Sequence, residues 1–247
     1  MIDRRDGSSP KTRFDDRAVS EVVAFVLIFG MILVSVGLLY TVGFQAMHDY
    51  QENEQLTNAE RAMDALSDNF NDVLRYSGVD QRYGEISMRE GTVTTSGDGT
   101  IITIETENNV LGEEYDEINL GEFRYHDGGE SVAYEGGGLV RADETGSAVL
   151  KQPRIVCKDE TAIISLVSIT GGDHSIQSSE GLGVTMSVQD RNTTVVPNPG
   201  NVTVTHPHDS SYDTAWDSAL NSNGWDGGSC EEPDRLVVTI VEAEITF

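Results

Sequence analysis

The chain has 247 residues, 16 Lys plus Arg against 42 Asp plus Glu, a formal net charge of −26 and 38% hydrophobic residues. That length suits one domain, or one domain with an appendage, and the hydrophobic content is low without forcing disorder. So acidic a balance repels phosphate, which excludes a general nucleic-acid binder, and argues equally against electrostatic docking on anionic lipid headgroups.

Only three basic residues are lysines: Lys11, Lys151 and Lys158. An acidic, lysine-poor composition suits work in very high salt, where the Debye length falls to about 3 Å and self-repulsion is screened. A merely acidic secreted protein is the plainer reading. The charge is also uneven. Residues 1–21 hold five basic groups (Arg4, Arg5, Lys11, Arg13, Arg17) and five acidic ones (Asp3, Asp6, Asp15, Asp16, Glu21), so the whole −26 lies beyond them.

From Val22 to Phe44 the chain reads VVAFVLIFGMILVSVGLLYTVGF, without a charge. At about 1.5 Å per residue this run is roughly 34 Å long as a helix, enough to cross a hydrocarbon core of about 30 Å. It shows no polar stripe, unlike the core helix of a soluble protein. The nearby basic residues all precede it, while Asp49, Glu52, Glu54 and Glu60 follow before Arg61. The positive-inside bias therefore predicts a single-pass protein with a cytoplasmic N-terminus and its bulk outside the cell. An ordinary secretory signal does not fit: the run is too long, and Gln45-Ala46-Met47-His48-Asp49 makes a poor cleavage site.

Ahead of the run stands Asp15-Asp16-Arg17-Ala18-Val19-Ser20-Glu21: charge, a small residue, then the helix. The segment RAVSEVVAFVLIFGMILVSVGLLYTVG resembles the N-terminus of archaeal type IV pilin-like proteins. The resemblance covers roughly a tenth of the chain. It implies a leader (residues 1–18) removed on the cytoplasmic side by a prepilin-type peptidase, with the apolar helix retained. Carried over, the cut falls after Ala18, with Arg17 before it and Val19 and Ser20 following; a cut between Arg17 and Ala18 is the close alternative. Adhesive archaeal pilins usually place Pro where Glu21 stands. Bacterial pilins carry Glu at the fifth mature position, whereas Glu21 would be third. Glu21 has two readings: neutralising a neighbouring subunit's new amine in the membrane, or reaching back to water at the helix start. These departures suit a minor or accessory member better than a main filament subunit. Gly30 and Gly37, seven apart, share a face of the membrane helix (19–44) and form a candidate subunit contact.

Beyond Phe44 the pattern turns amphipathic. Leu56, Ala59, Met63, Leu66, Phe70 and Val73 recur at helical spacing, which predicts a helix over 45–77 that stops at Ser77-Gly78. One continuous rod and two helices with a break near 47–53 both satisfy the pattern. The stripe favours packing on the protein's own sheet over a coiled-coil seam, since barely three heptads are present.

Residues 83–247 read as one β-rich domain. Strands are predicted at Thr100–Thr106, Glu117–Tyr125, Ser131–Tyr134, Gly138–Arg141, Ala162–Ile169 (the most apolar, hence central), Val184–Val188, Val202–Val204 and Leu236–Ile245. A short helix is expected over Ser210–Asn221, capped by Ser210 or Asp209. The fold class is therefore α+β: a long N-terminal helix, then an antiparallel sandwich or partial barrel with one short helix. Tyr212, Trp216 and Leu220 share a helix face and are expected in the core. Trp225, in a Gly-rich stretch, is the better candidate for exposure.

Cys157 and Cys230 fall in the part predicted to lie outside, and a disulfide between them is favoured over two thiols. Asn192-Thr193-Thr194 and Asn201-Val202-Thr203 are N-glycosylation sequons flanking a surface turn. Chemistry is sparse. His206-Pro207-His208-Asp209 is the best metal candidate, with His126 and His174 elsewhere, but the spacing does not show three converging ligands. The turn Ser96-Gly97-Asp98-Gly99 lacks the full calcium-loop pattern. No nucleophile elbow, P-loop or dinucleotide fingerprint occurs, and a carboxylate pair cannot be located among so many acids. No cofactor, metal or enzymatic activity is expected. The expected function is a pilin-like structural subunit or accessory of a surface filament, partnered by other pilin-like subunits or by itself. The alternative is a stand-alone membrane-anchored extracellular binding protein that does not polymerise.

Overall fold

A computed structural model describes residues 15–87, 91–107, 109–177 and 181–247. The side chains of 15–19, 45–55 and 87 lie outside that description, as do residues 1–14 of the expected leader. The chain divides into two compact units, Met1–Asn53 and Glu54–Phe247.

In chain order the elements are helices α1 (Asp15–Phe70) and α2 (Asp72–Arg75), then strands β1 (Gln81–Ser87), β2 (Thr92–Ser96), β3 (Ile101–Thr106), β4 (Ile118–Asn119), β5 (Glu122–Asp127), β6 (Glu130–Glu135), β7 (Gly138–Asp143), β8 (Gly146–Lys151), β9 (Arg154–Lys158), β10 (Thr161–Thr170), β11 (His174–Gln177), β12 (Gly181–Pro197) and β13 (Val202–Thr205), helix α3 (Asp213–Leu220), and strands β14 (Ser229–Cys230) and β15 (Arg235–Thr246). They form three sheets of orders β1-β12-β15-β10-β9, β11-β2-β5-β6-β7-β8 and β14-β13-β3-β4. The α+β class follows. Among the described residues pairing is antiparallel except between β10 and β15, which run parallel. Such a pair needs a long crossover; here β11 to β14 and α3 fill it.

Within the second unit, the apolar stripe packs on the protein's own sheets. Leu56, Ala59, Met63, Leu66, Phe70 and Val73 are all buried, in one core with Ile86, Phe123, Tyr134, Val184 and Val241. Phe70 meets Phe123 and Tyr134 edge-on, with centroids 6.2 and 5.7 Å apart. At Asn71 helix α1 passes into the single turn α2, and the helical stretch ends at Arg75, just before the turn at Ser77-Gly78 where the pattern predicted a stop. Asn71 donates to the Gly137 carbonyl (2.8 Å) and accepts from the Tyr134 hydroxyl (3.0 Å). Basic residues flank the stripe: Arg141 reaches Glu60 (2.9 Å), and Lys151 reaches Asp64 (2.6 Å).

A second core lies under α3 and includes Ile102, Leu120, Ile164, Trp216 and Leu236. The middle sheet serves both cores. On β6, Val132 and Tyr134 face the first core and Ala133 the second; on β7, Leu139 faces the first and Val140 and Ala142 the second. A strand buried on both faces carries apolar residues at successive positions, as β6 and β7 do.

One irregularity sets the register of the long strand β12. Met186 opposes Ile245 and Val188 opposes Ala243, but a bulge before Asp190 shifts the pairing so that Val196 opposes Leu236. A one-residue insertion swaps the faces of everything beyond it. Val184 and Met186 thus line the first core while Val196 lines the second, although all three have even numbers.

The predicted strand Glu117–Tyr125 is split. Asn119 Oδ1 accepts from the amides of Gly99 (2.9 Å) and Gly121 (3.1 Å), and Gly121 sits at φ +56°. A Cβ there would run into the Ile169 carbonyl oxygen, so only glycine fits. The helix expected from Ser210 begins later, at Asp213. Ser210 does not cap it: its hydroxyl accepts from the Tyr212 amide (3.1 Å) and shapes the preceding turn. Trp225 is buried at 4% exposure, against expectation. Gly224, Gly227 and Gly228, all at positive φ, turn the chain around it and fold the indole into the second core.

Phe70→Ala is expected to destabilise the protein by about 3–5 kcal/mol, read from denaturant unfolding of the full chain in detergent. An effect below about 1 kcal/mol would mean that the stripe is dispensable for the β-domain.

Candidate functional site

The first unit supplies the most exposed apolar surface. Ser20–Phe44 is a 25-residue helical segment long and apolar enough to cross a membrane, with none of it buried. Its residues include Phe25, Leu27, Met31, Leu39 and Val42, each exposed beyond 60%. In hydrocarbon every polar group needs an internal partner. Ser35 Oγ donates to the Met31 carbonyl (2.8 Å), and Thr41 Oγ1 lies 3.0–3.1 Å from the carbonyls of Leu38 and Gly37. Both hydroxyls are thereby satisfied by their own helix. Phe25 stacks on Phe29 (5.9 Å) and Tyr40 packs against Phe44 (5.4 Å), one turn apart.

At Gly30 and Gly37 a Cβ would meet nothing within 4 Å, so both leave open notches on the helix surface. Glu21 is exposed near the start of the segment. The expected processing residues Arg17, Ala18, Val19 and Ser20 all lie in helical backbone, and the side chains of the first three fall outside the described residues.

In the second unit Cys157 and Cys230 form a disulfide, with an S–S distance of 2.08 Å. It ties β9 to β14 across a sequence separation of 73 residues, worth roughly 4 kcal/mol in the chain-entropy model. Asn192 and Asn201 are both exposed, on β12 and just before β13. Asn192 Nδ2 lies 3.3 Å from Glu114 Oε1, and Asn201 Oδ1 accepts from the Glu232 amide (3.1 Å). In the Ser96–Gly99 turn the Ser96 hydroxyl donates to Asp173 (2.8 Å). His126 pairs with Thr92 and His174 with Thr95 across β2, away from His206 and His208. The latter two meet Asp217, a partner eleven and nine residues away that no local spacing announces.

Two carboxylates that the sequence did not single out, Glu135 and Glu122, are buried. Glu135 is fully buried. Its carboxylate accepts from the Thr100 amide (2.6 Å), the Thr100 hydroxyl (3.1 Å) and the Trp216 indole N–H (2.7 Å). Glu122, 7% exposed, accepts from the Tyr212 hydroxyl (2.6 Å) and lies 3.3 Å from Arg124. A cleft of about 340 Å³ opens beside Glu122, Arg124, Ser210 and Tyr212. Through Tyr212 and Trp216 the two carboxylates hold α3 and its leading turn on the middle sheet. Burial raises the Glu135 pKa to about 7 against the pull of its three donors, and the Glu122 charge adds to the rise. Burial also pushes up the Tyr212 hydroxyl.

The Glu135 shift has a sign. Between an unfolded value of 4.5 and a folded value of about 7 the native state holds a proton that the unfolded chain has lost. Stability contributed by this group therefore falls as pH rises through that window, by up to about 3 kcal/mol, and levels off above it. Glu135→Gln is expected to flatten the slope in pH-dependent unfolding. In either orientation its NH₂ faces a donor, the Thr100 amide or the Trp216 indole N–H, so its absolute stability drops. An unchanged slope would assign the pH dependence to other groups.

A membrane-length apolar helix joined to a disulfide-closed β-rich domain with one short helix defines the class of protein, compatible with a single-pass anchor. The chain belongs to a family of unknown function, DUF7289, whose model matches residues 17–246, from the start of the apolar helix to the last strand. No curated protein and no solved structure matches it.

Proposed function

We propose that this protein is a pilin-like structural subunit, or an accessory, of an archaeal surface filament. Its N-terminal helix anchors it in the cell membrane and its acidic β-domain faces a salty exterior. The observation that carries the reading is the Ser20–Phe44 helix, apolar all round and unburied, with the Ser35 and Thr41 hydroxyls bonded internally and two glycine notches seven residues apart. A surface of this kind suits lipid or the packed helical core of a filament, and not water.

Several features support the outward placement. The basic residues near the helix precede it. The disulfide lies beyond it, in the part that would occupy an oxidising compartment. The net charge of −26 suits a high-salt medium. The exposed sequons at Asn192 and Asn201 suit a glycosylated exterior. In this role the helix associates with other pilin-like subunits or with copies of itself, a prepilin-type peptidase removes the leader near Ala18, and the β-domain stands in water as the displayed part.

The test is the mature N-terminus, read by mass spectrometry from membrane and sheared-surface fractions of native cells. A start at Val19 or Ala18, with recovery in the sheared fraction, is expected. Replacing Gly30 and Gly37 together with leucine should lower that recovery several-fold and leave the membrane fraction unchanged. An intact Met1 confined to membranes would replace this reading with a stand-alone anchored binding protein.

A further inference from the structure

The loop after β13 carries His206, Pro207 and His208, and α3 carries Asp213 and Asp217 one turn apart. The fold brings these two segments together. Asp217 Oδ1 lies 3.2 Å from His206 Nε2 and 3.3 Å from His208 Nε2. All three ligand atoms fall within 4.8 Å of one another, and the two imidazoles stack at 4.7 Å with their planes 21° apart. Asp209, which neighbours the histidines in sequence, lines the separate cleft beside Glu122.

His206 presents a proton problem. Its side chain is 2% exposed, and both ring nitrogens face acceptors. Nδ1 lies 3.1 Å from the Pro207 carbonyl and 3.8 Å from Asp213 Oδ1, while Nε2 faces Asp217. A neutral imidazole has one N–H and satisfies one side only. A proton on Nδ1 keeps the carbonyl bond, with the Asp213 carboxylate behind it, and leaves the Nε2 lone pair pointing at a carboxylate oxygen. A cation between them removes the conflict. The partners of Nδ1 then do what outer partners of metal-bound histidines do: they fix the tautomer and hold the ring.

We infer that His206 Nε2, His208 Nε2 and Asp217 Oδ1 form a binding site for a divalent transition-metal ion of the zinc type. The distances suit it. With bonds of about 2.0–2.1 Å, neighbouring ligands of a tetrahedral ion stand about 3.3 Å apart, close to the two Asp217 separations. His208, 65% exposed on its side chain, is free to rotate and close the remaining edge. Two imidazoles and one carboxylate select zinc, copper, nickel or cobalt over magnesium and calcium, which take oxygen. Three protein ligands leave a fourth position, on the solvent side, for water or for a donor from another molecule. The ion would staple the 206–208 loop to α3.

The test uses the full chain in detergent, stripped with a chelator and titrated calorimetrically with Zn²⁺ in excess Mg²⁺, which saturates the general acidic surface. One equivalent of Zn²⁺ should bind. His208→Ala, a change at an exposed position, and Asp217→Asn should each weaken binding at least about tenfold. Metal-free unfolding of His208→Ala should match the wild type. Co²⁺ in the same site should give the visible absorption of a tetrahedral ion, lost in His208→Ala. No Zn²⁺ binding above the Mg²⁺ background, or equal binding in wild type and His208→Ala, would overturn the site and leave His206 Nε2 and Asp217 Oδ1 as a hydrogen-bonded pair.

Discussion

The apolar stripe from Leu56 to Val73 is the contact on which the second unit depends. Its six residues meet side chains from β1, β5, β6, β12 and β15, so one helical face closes a core that two sheets share. A sheet with one bare apolar face is not stable in water, and neither is an isolated amphipathic helix. Each supplies the cover that the other lacks. The edge-on cluster of Phe70, Phe123 and Tyr134 is where helix and middle sheet interlock. Asn71 then converts the helix end into a fixed point, because its amide bonds both the β6–β7 turn and the Tyr134 hydroxyl.

The middle sheet transmits that constraint to the other side. Since β6 and β7 are apolar on both faces, α3 has a surface to cover as well, and it does so with Trp216 and Leu220. Trp216 brings a polar indole N–H into that core, and Glu135 receives it. A buried carboxylate is costly when unpaired. Here three donors from Thr100 and Trp216 meet it, and burial still holds its pKa near 7. The acid is thus the polar counterpart of the stripe: it fixes where α3 lies over the second core, whereas the stripe closes the first.

What the sequence made legible was local. The stripe was readable because spacings of three and four lie within one helix, and β10, β13 and β15 because they are dense in β-branched residues. Short, half-exposed strands such as β2 and β8 carried too little alternation to be seen. The parallel pairing of β10 with β15 joins residues some seventy positions apart and leaves no local period. The break at Gly121 depends on the Ile169 carbonyl, a tertiary neighbour. Trp225 misled because a glycine-rich flank reads as a surface loop, when those glycines in fact turn the indole inward. The disulfide was legible from two cysteines and a compartment argument. Asp217 and the Glu122–Glu135 pair were not, since each is chosen from 42 acidic residues by the fold alone.

The two units obey opposite solvent rules within one polypeptide. From Ser20 to Phe44 the large apolar side chains face outward and the Ser35 and Thr41 hydroxyls turn to helix carbonyls. From Leu56 onward most large apolar side chains turn inward, while most of the acid, Glu122 and Glu135 apart, stays on the surface. No single solvent satisfies both arrangements. Water would leave the first unit's apolar surface uncovered, and hydrocarbon would strip the second unit's carboxylates of hydration. A change of medium along the chain, between Phe44 on one side and the first buried stripe residue, Leu56, on the other, is compatible with both arrangements, as a single-pass anchor would have it. A filament core and a lipid bilayer supply the same apolar surroundings to the helix. The glycines at 30 and 37 are where the two differ, because close helix approach needs a partner helix and lipid does not provide one.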